Sequence, residues 1–282
     1  TAGGGAPVTR GILRLFGSAV SPSRKGRKRP PSMSAPPPVS AELSRPALFV
    51  TCLVDQLYPG AAAAAAAVLR RAGAEVTVPR GQTCCGQVAF NDGFRPQAQA
   101  MARRFVEVFE SAPAVVTPSG SCAAMVREFY PRLLRDDAAL AARVAAVARR
   151  TYELSEYLVD VLGVEDAGAR FPHRVVYHPA CHGLRTLGVR RQPLRLLSRV
   201  ADLELLPLAG AEECCGFGGM FAVKYAALSS SMLAAKLAAI EASAAEFVTA
   251  TDVSCLMHID GGLRRRGSRV RTIHLAEILA AR

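Results

Sequence analysis

The sequence predicts an α/β fold of two similar Rossmann-like βαβαβα halves with parallel sheets, an internal duplication with pseudo-twofold character. Three observations carry this. All eight cysteines of the 282-residue chain fall into two sets of four with one layout: Cys52, Cys84-Cys85-Gly86 and Cys122, then Cys181, Cys214-Cys215-Gly216 and Cys255. The upstream cysteine is separated from the pair by 31 residues in the first set and 32 in the second; the downstream one by 36 and 39. A second echo is independent of sulfur: Thr151, Leu154, Glu156 and Leu158 are matched at identical offsets by Thr272, Leu275, Glu277 and Leu279. Third, short apolar runs alternate with helical-period stretches in both halves.

The elements follow in order. Residues 1–45 are rich in Gly, Ser, Pro and Arg and contain the run Arg24-Lys25-Gly26-Arg27-Lys28-Arg29. No apolar core follows a basic start, so this is a poor signal peptide, and its composition predicts a disordered tail. Met33 has the look of a natural start, which leaves a mis-set beginning or a basic membrane-surface or targeting tail as alternatives. Two cysteine-rich domains are expected after it, at 46–165 and 166–282. In the first, Ala47-Leu48-Phe49-Val50 reads as a strand and residues 60–72 as a helix stopped by Gly73. Glu75-Val76-Thr77-Val78 reads as a second strand running into the Cys84-Cys85 loop. A helix over 95–111, a strand at Ala114-Val115-Val116-Thr117 and helices at 122–134 and 137–149 follow; Thr151 to Leu158 opens another helix. In the second half the expected strands are Arg174–His178, Leu203–Leu206 and Glu246–Thr249. Helices are expected at 190–200, 223–243 and from Cys255 to 266. Arg269–Ile273 and a closing helix from Leu275 end the chain.

Composition narrows the function. No apolar run approaches the roughly 20 residues of a spanning helix, so a cytoplasmic protein without a transmembrane segment is expected. The net charge of +12 invites a nucleic-acid reading, but residues 1–46 hold eight Lys/Arg against one acid, leaving +5 for the other 236 residues. There is no tryptophan and only 6% aromatic residues, so base stacking is not indicated and no nucleic-acid partner is expected. The arginine runs Arg190-Arg191 and Arg264–Arg266 read as solvated helix faces, or as a docking surface for an acidic partner.

Every cysteine falls at or just beyond a predicted strand end, where α/β folds gather functional loops. Four converging thiolates bind an iron–sulfur cluster or zinc. Structural zinc favours tight CxxC pairs, and none occurs here; wide spacing around an adjacent pair suits a larger group whose irons are spread apart. Gly86 and Gly216 permit positive φ and leave room beside sulfide. The expected ligands are therefore Cys52, Cys84, Cys85 and Cys122, and Cys181, Cys214, Cys215 and Cys255, for one or two clusters. Disulfides and inert buried thiols are the alternatives; the first lacks a secretory signal, and the second leaves the repeat spacing idle. His178 and His182 flank Cys181 and His258 follows Cys255, with packing or hydrogen bonding the expected role and tuning or ligation the alternative. His173 and His274 read as structural. The Gly216-Phe217-Gly218-Gly219 stretch lacks dinucleotide spacing, and no P-loop, nucleophile elbow or H-E-x-x-H occurs, so no catalytic residue is assigned.

These motifs resemble the duplicated cysteine-rich (CCG) domain found in heterodisulfide reductase, in the iron–sulfur subunits of glycolate oxidase and anaerobic glycerol-3-phosphate dehydrogenase, and in the lactate-utilisation protein A family. Pro118-Ser119-Gly120-Ser121-Cys122, Glu213-Cys214-Cys215-Gly216-Phe217-Gly218-Gly219 and Asp252-Val253-Ser254-Cys255-Leu256-Met257-His258 are most similar to the last, over residues 46–282. The resemblance implies a [4Fe–4S] electron-transfer subunit of an oxidoreductase complex oxidising L-lactate to pyruvate, rather than a complete enzyme. It implies a ferredoxin-type iron–sulfur protein and a small protein as partners. A thiol/disulfide redox subunit, a glycolate or glycerol-3-phosphate oxidation subunit and a zinc scaffold are the alternatives. The fuller family motif ends each set in CxxC; Ser119 and Asp252 stand where its first cysteine would be, which leaves four thiolates per set, enough for a cubane.

Overall fold

Ala114-Val115-Val116-Thr117 is buried at every position, and a strand apolar on both faces belongs inside a parallel sheet covered by helices. The computed structural model, which describes residues 42–282, places it there. The expected disordered tail lies, through residue 41, outside the described residues. The first half runs β1 (Pro46–Leu48), α1 (Cys52–Leu57), α2 (Pro59–Arg71), α3 (Gln87–Asn91), α4 (Arg95–Phe109), β2 (Ala114–Thr117), α5 (Gly120–Ala124), α6 (Tyr130–Leu133), α7 (Ala138–Arg149), β3 (Thr151–Glu153) and α8 (Leu154–Glu156). The second runs β4 (Arg174–Tyr177), α9 (Arg191–Leu197), β5 (Glu204–Leu206), α10 (Phe221–Lys224), α11 (Ala226–Ala242), β6 (Phe247–Ala250), α12 (Val253–Arg265), β7 (Arg271–His274) and α13 (Leu275–Ala280). Wide π-helical turns at Met125–Phe129, Tyr157–Val161 and His182–Thr186 continue helical segments.

Among the described residues there are two sheets with parallel pairing throughout, ordered β1-β2-β3 and β5-β4-β6-β7. The duplication keeps its register at the centre: Phe49 N donates to Val116 O and His178 N to Thr249 O, each at 2.8 Å. The second expected strand shrinks to one bridge between Ala47 and Thr77, lying beside β1 where β5 lies beside β4. Two causes are visible. Pro79 has no N–H to extend the pairing, and of the segment's two valines only Val76 packs against the core while Val78 is exposed. Thr151–Glu153 corrects the sequence reading in the other direction: it is a strand, buried at Thr151 and Glu153, before its helix begins. The helix expected at 223–243 breaks at Tyr225, whose φ of −123° and ψ of 50° are non-helical.

Each half has a core of its own. Phe49, Phe105, Phe109 and Tyr130 interlock in the first, with Phe49 and Phe105 rings 4.9 Å apart and edge-on. Val176, Leu237, Ile240, Val248 and Ile259 fill the second. A third cluster joins them: Leu48, Leu69 and Leu158 with Val175, Leu197, Leu275 and Ile278, as α2 packs against α13. No helix among the described residues is long and apolar enough to cross a membrane.

Candidate metal centre

The strand ends deliver the thiols. Cys52 opens α1 three residues after Phe49, Cys84 and Cys85 sit in the loop before α3, and Cys122 lies in the first turn of α5. Cys181 follows β4, Cys214 and Cys215 precede α10, and Cys255 lies in the first turn of α12. The sequence-predicted sites therefore converge. Cys52 Sγ is 3.5 Å from Cys84 Sγ, and Cys85 Sγ is 3.3 Å from Cys122 Sγ. All eight sulfurs are free thiols. The two sets also face each other: all eight cysteines line one cavity of ≈ 190 Å³.

The pair loops are held by backbone geometry. Gly86 and Gly216 have φ of 79° and 90°, a region costly to any residue with a Cβ. That turn aims each glycine N–H back at a sulfur: Gly86 N donates to Cys84 Sγ and Gly216 N to Cys214 Sγ, both at 3.4 Å. Tyr130 Oη donates to Cys85 O at 2.8 Å, anchoring the first loop from the core. The buried Lys236 donates to Gly210 O at 2.6 Å and Ala211 O at 3.2 Å, anchoring the chain that leads into Cys214.

The same electrostatic pattern recurs in both halves. Cys52 and Cys181 act as S–H donors to Cys84 and Cys214, and those bonds, with burial, push the donor thiols up. Cys84 and Cys214 accept from both flanking thiols and from the glycine amide, which pulls them down to about 2. In both sets these bonds favour the thiolate form, the form that binds metal, on the first sulfur of the adjacent pair. One difference breaks the symmetry. Cys255 is lowered to about 6, first by the Cys215 thiol and then by His178 beside it.

Signals that the sequence reading missed lie between the halves. Ser119 and Asp252, the residues where a fifth cysteine would stand, are helix caps that meet between the two halves. Ser119 Oγ accepts from Cys122 N at 3.3 Å; Asp252 accepts from Ser121 N at 2.8 Å, from Ser254 Oγ at 2.7 Å and from Ser119 Oγ at 3.4 Å. Beside them the backbones touch: a Cβ on Gly120 would lie 3.1 Å from Gly183 Cα. Of the histidines, His258 bonds Ser229 Oγ at 3.3 Å, His173 pairs with Glu246, and His274 caps α13, all structural as expected. His182 Nδ1 lies 3.7 Å from Cys181 Sγ. His178 is different: it is fully buried, neither ring nitrogen has a hydrogen-bond partner, and a ring nitrogen and the sulfurs of Cys215 and Cys255 lie within 4.8 Å of one another.

Eight thiols around a shared cavity, with the His178 imidazole beside two of them, could hold a metal cluster.

Comparison with known proteins agrees with this geometry. A family model described as a cysteine-rich domain, CCG, matches residues 46–127 and again 175–260. Lactate utilization protein A of Bacillus velezensis (strain DSM 23117 / BGSC 10A6 / LMG 26770 / FZB42) is 46% identical over 235 residues, 83% of this chain and 98% of that protein. The proteins of the same name from Geobacillus kaustophilus (strain HTA426) and Bacillus subtilis (strain 168) are 46% and 44% identical over the same shares. Among solved structures, an aspartate racemase homologue from Pyrococcus horikoshii OT3 covers 84% of this chain and 95% of its own at 12% identity and a TM-score of 0.30, too loose to carry an argument. Two copies of the CCG domain and this degree of identity over most of the chain place it in the lactate utilization protein A family.

Proposed function

We propose that the chain is an iron–sulfur electron-transfer subunit of a complex that oxidises L-lactate to pyruvate. One cluster sits on Cys52, Cys84, Cys85 and Cys122 and one on Cys181, Cys214, Cys215 and Cys255. The observation that carries this reading is the convergence of all eight thiols on one cavity, in a chain whose relatives bear the lactate utilization name. When bound, such clusters supply one-electron redox chemistry. Lactate oxidation releases two electrons with two protons, so two one-electron sites match the electron count.

The chain's own residues do the rest. Cys84 and Cys214 offer thiolates, the Gly86 and Gly216 amides compensate charge on those sulfurs, and the strand-end loops hold the donors in place. Partners are a ferredoxin-type iron–sulfur protein and a small third protein. Val88 lines the cavity and is exposed, as are Val223, Tyr225 and Leu228 on and between α10 and α11, and apolar side chains left in water there support docking beside the site. The test is anaerobic purification with analysis of iron, acid-labile sulfide and zinc, followed by EPR as lactate and the partner proteins are added. Iron with equimolar sulfide and a lactate-dependent signal is the expected result. Zinc without sulfide in a folded sample rejects the reading.

A further inference from the structure

The two halves match at the strand ends but carry different side chains there. Phe49 and His178 each stand three residues before the first cysteine of their set, and their amides make the same 2.8 Å bond to the central strand. Phe49 turns into the aromatic core against Phe105 and Phe109. His178 is equally buried, yet no oxygen or nitrogen serves either ring nitrogen. A buried imidazole without partners is costly, since at least one N–H is lost from water uncompensated. The other buried or half-buried histidines each keep at least one polar partner, His274 the Ala276 amide and His258 the Ser229 hydroxyl, whereas His178 has none on either nitrogen. What lies around His178 instead is sulfur, that of Cys215 and Cys255.

We propose that His178 donates a ring N–H to the Cys255 sulfur when the second set holds its cluster, and that this bond sets the reduction potential of the second site above that of the first. The inference rests on the iron–sulfur reading. Reduction adds one negative charge to a cluster, and part of that charge falls on its thiolate sulfurs. A donor aimed at such a sulfur stabilises the reduced form more than the oxidised one. The first site has a phenyl ring at the same place and no such bond. When an external reductant supplies one electron to the chain, that electron therefore resides on the second half. His178 acts through Cys255 and is a positioning residue.

The experiment is a potentiometric titration of the anaerobically prepared full chain with dithionite, followed by EPR, on the parent, His178→Leu and His178→Gln. Leucine removes the N–H, while glutamine returns a side-chain N–H donor in a similar volume. Circular dichroism checks the fold, and iron and sulfide contents are measured for all three. The expected result is two one-electron steps in the parent, with the upper step of His178→Leu moved down at least tenfold in equilibrium, about 59 mV. The lower step stays in place, and His178→Gln recovers most of the separation. Unchanged midpoints in His178→Leu at full iron content overturn the proposal. So does loss of half the iron in both variants, which makes His178 a ligand, or a single midpoint in the parent, which means one shared cluster. A parent without iron and sulfide fails at the earlier reading instead, which the metal analysis identifies before any titration.

Discussion

Replacing Glu153 by Gln tests the buried helix caps beneath the site. Glu153 is fully buried, accepts from the Ser155 and Glu156 amides at the start of α8, and has its carboxyl raised from 4.5 to about 7, chiefly by burial. Between those values the unfolded chain has released the proton and the folded chain still holds it. Stability from this group is therefore complete below pH 4.5 and is lost as the pH rises through 7, and a shift of that size is worth about 3 kcal/mol. His274 stands at the same place in the second half and caps α13 by accepting from Ala276 N at 3.1 Å. Burial lowers it from 6.5 to about 4, so its contribution is complete above 6.5 and lost as the pH falls through 4. The two slopes are opposite and offset each other between 4.5 and 6.5 in the native chain. E153Q removes one of them. Its stability is expected to match the parent near pH 4, and to exceed it by up to about 3 kcal/mol at pH 8. H274N, which keeps a capping acceptor, is expected to be least destabilised near pH 4. Urea unfolding followed by circular dichroism at about pH 4, 6 and 8 reads all three proteins. Curves for E153Q and parent that run parallel across that range refute the burial argument.

The other expectations concern the sulfur loops. Gly216→Ala would bring a Cβ to 2.6 Å from Ser229 O at a φ of +90°, whereas Gly86→Ala meets Met101 Cβ at 3.3 Å. Positive φ costs each variant about 1 kcal/mol, and thermal unfolding should show G216A clearly the less stable. Cys52→Ser and Cys181→Ser should each lower iron and sulfide to about half of the parent's, measured by colorimetric assay; full retention in either argues against its ligand role. Asp252→Ala removes the acceptor for Ser121 N, Ser254 and Ser119, and should cost about 2 kcal/mol in urea unfolding, with Asp252→Asn losing less. Tyr130→Phe leaves the Cys85 carbonyl unbonded and should cost about 1–3 kcal/mol in the same assay.

What could be read from residues alone follows from how each feature is encoded. Cysteine is scarce and chemically specific, so two sets of four at matching intervals announce both the duplication and the metal-binding loops. Strand β2 is equally plain, because Ala114 to Thr117 is a short apolar run between a helix end and a Pro-Ser-Gly turn. Glu75–Val78 misleads because its composition is that of a strand while its pairing depends on Pro79 and on what covers Val78. Thr151–Glu153 is hidden by the capping box that follows it, whose helix signal extends over the strand. The clasp of Ser119 and Asp252 joins residues 133 apart and arises only when the two halves pack together. His178 sits between these cases: its identity is visible, but its meaning needs the comparison with Phe49 and the finding that its nitrogens lack partners.

The apolar seam in which α2 lies against α13 welds two copies of one unit into a single polypeptide. Had the same architecture been assembled from two identical short chains, rotational symmetry would oblige every position to carry the same amino acid twice. Fusion lifts that obligation. The two copies can then differ at equivalent places, with a hydrocarbon ring at Phe49 in one and an imidazole at His178 in the other, so that two sites with one cysteine layout need not be chemically equal.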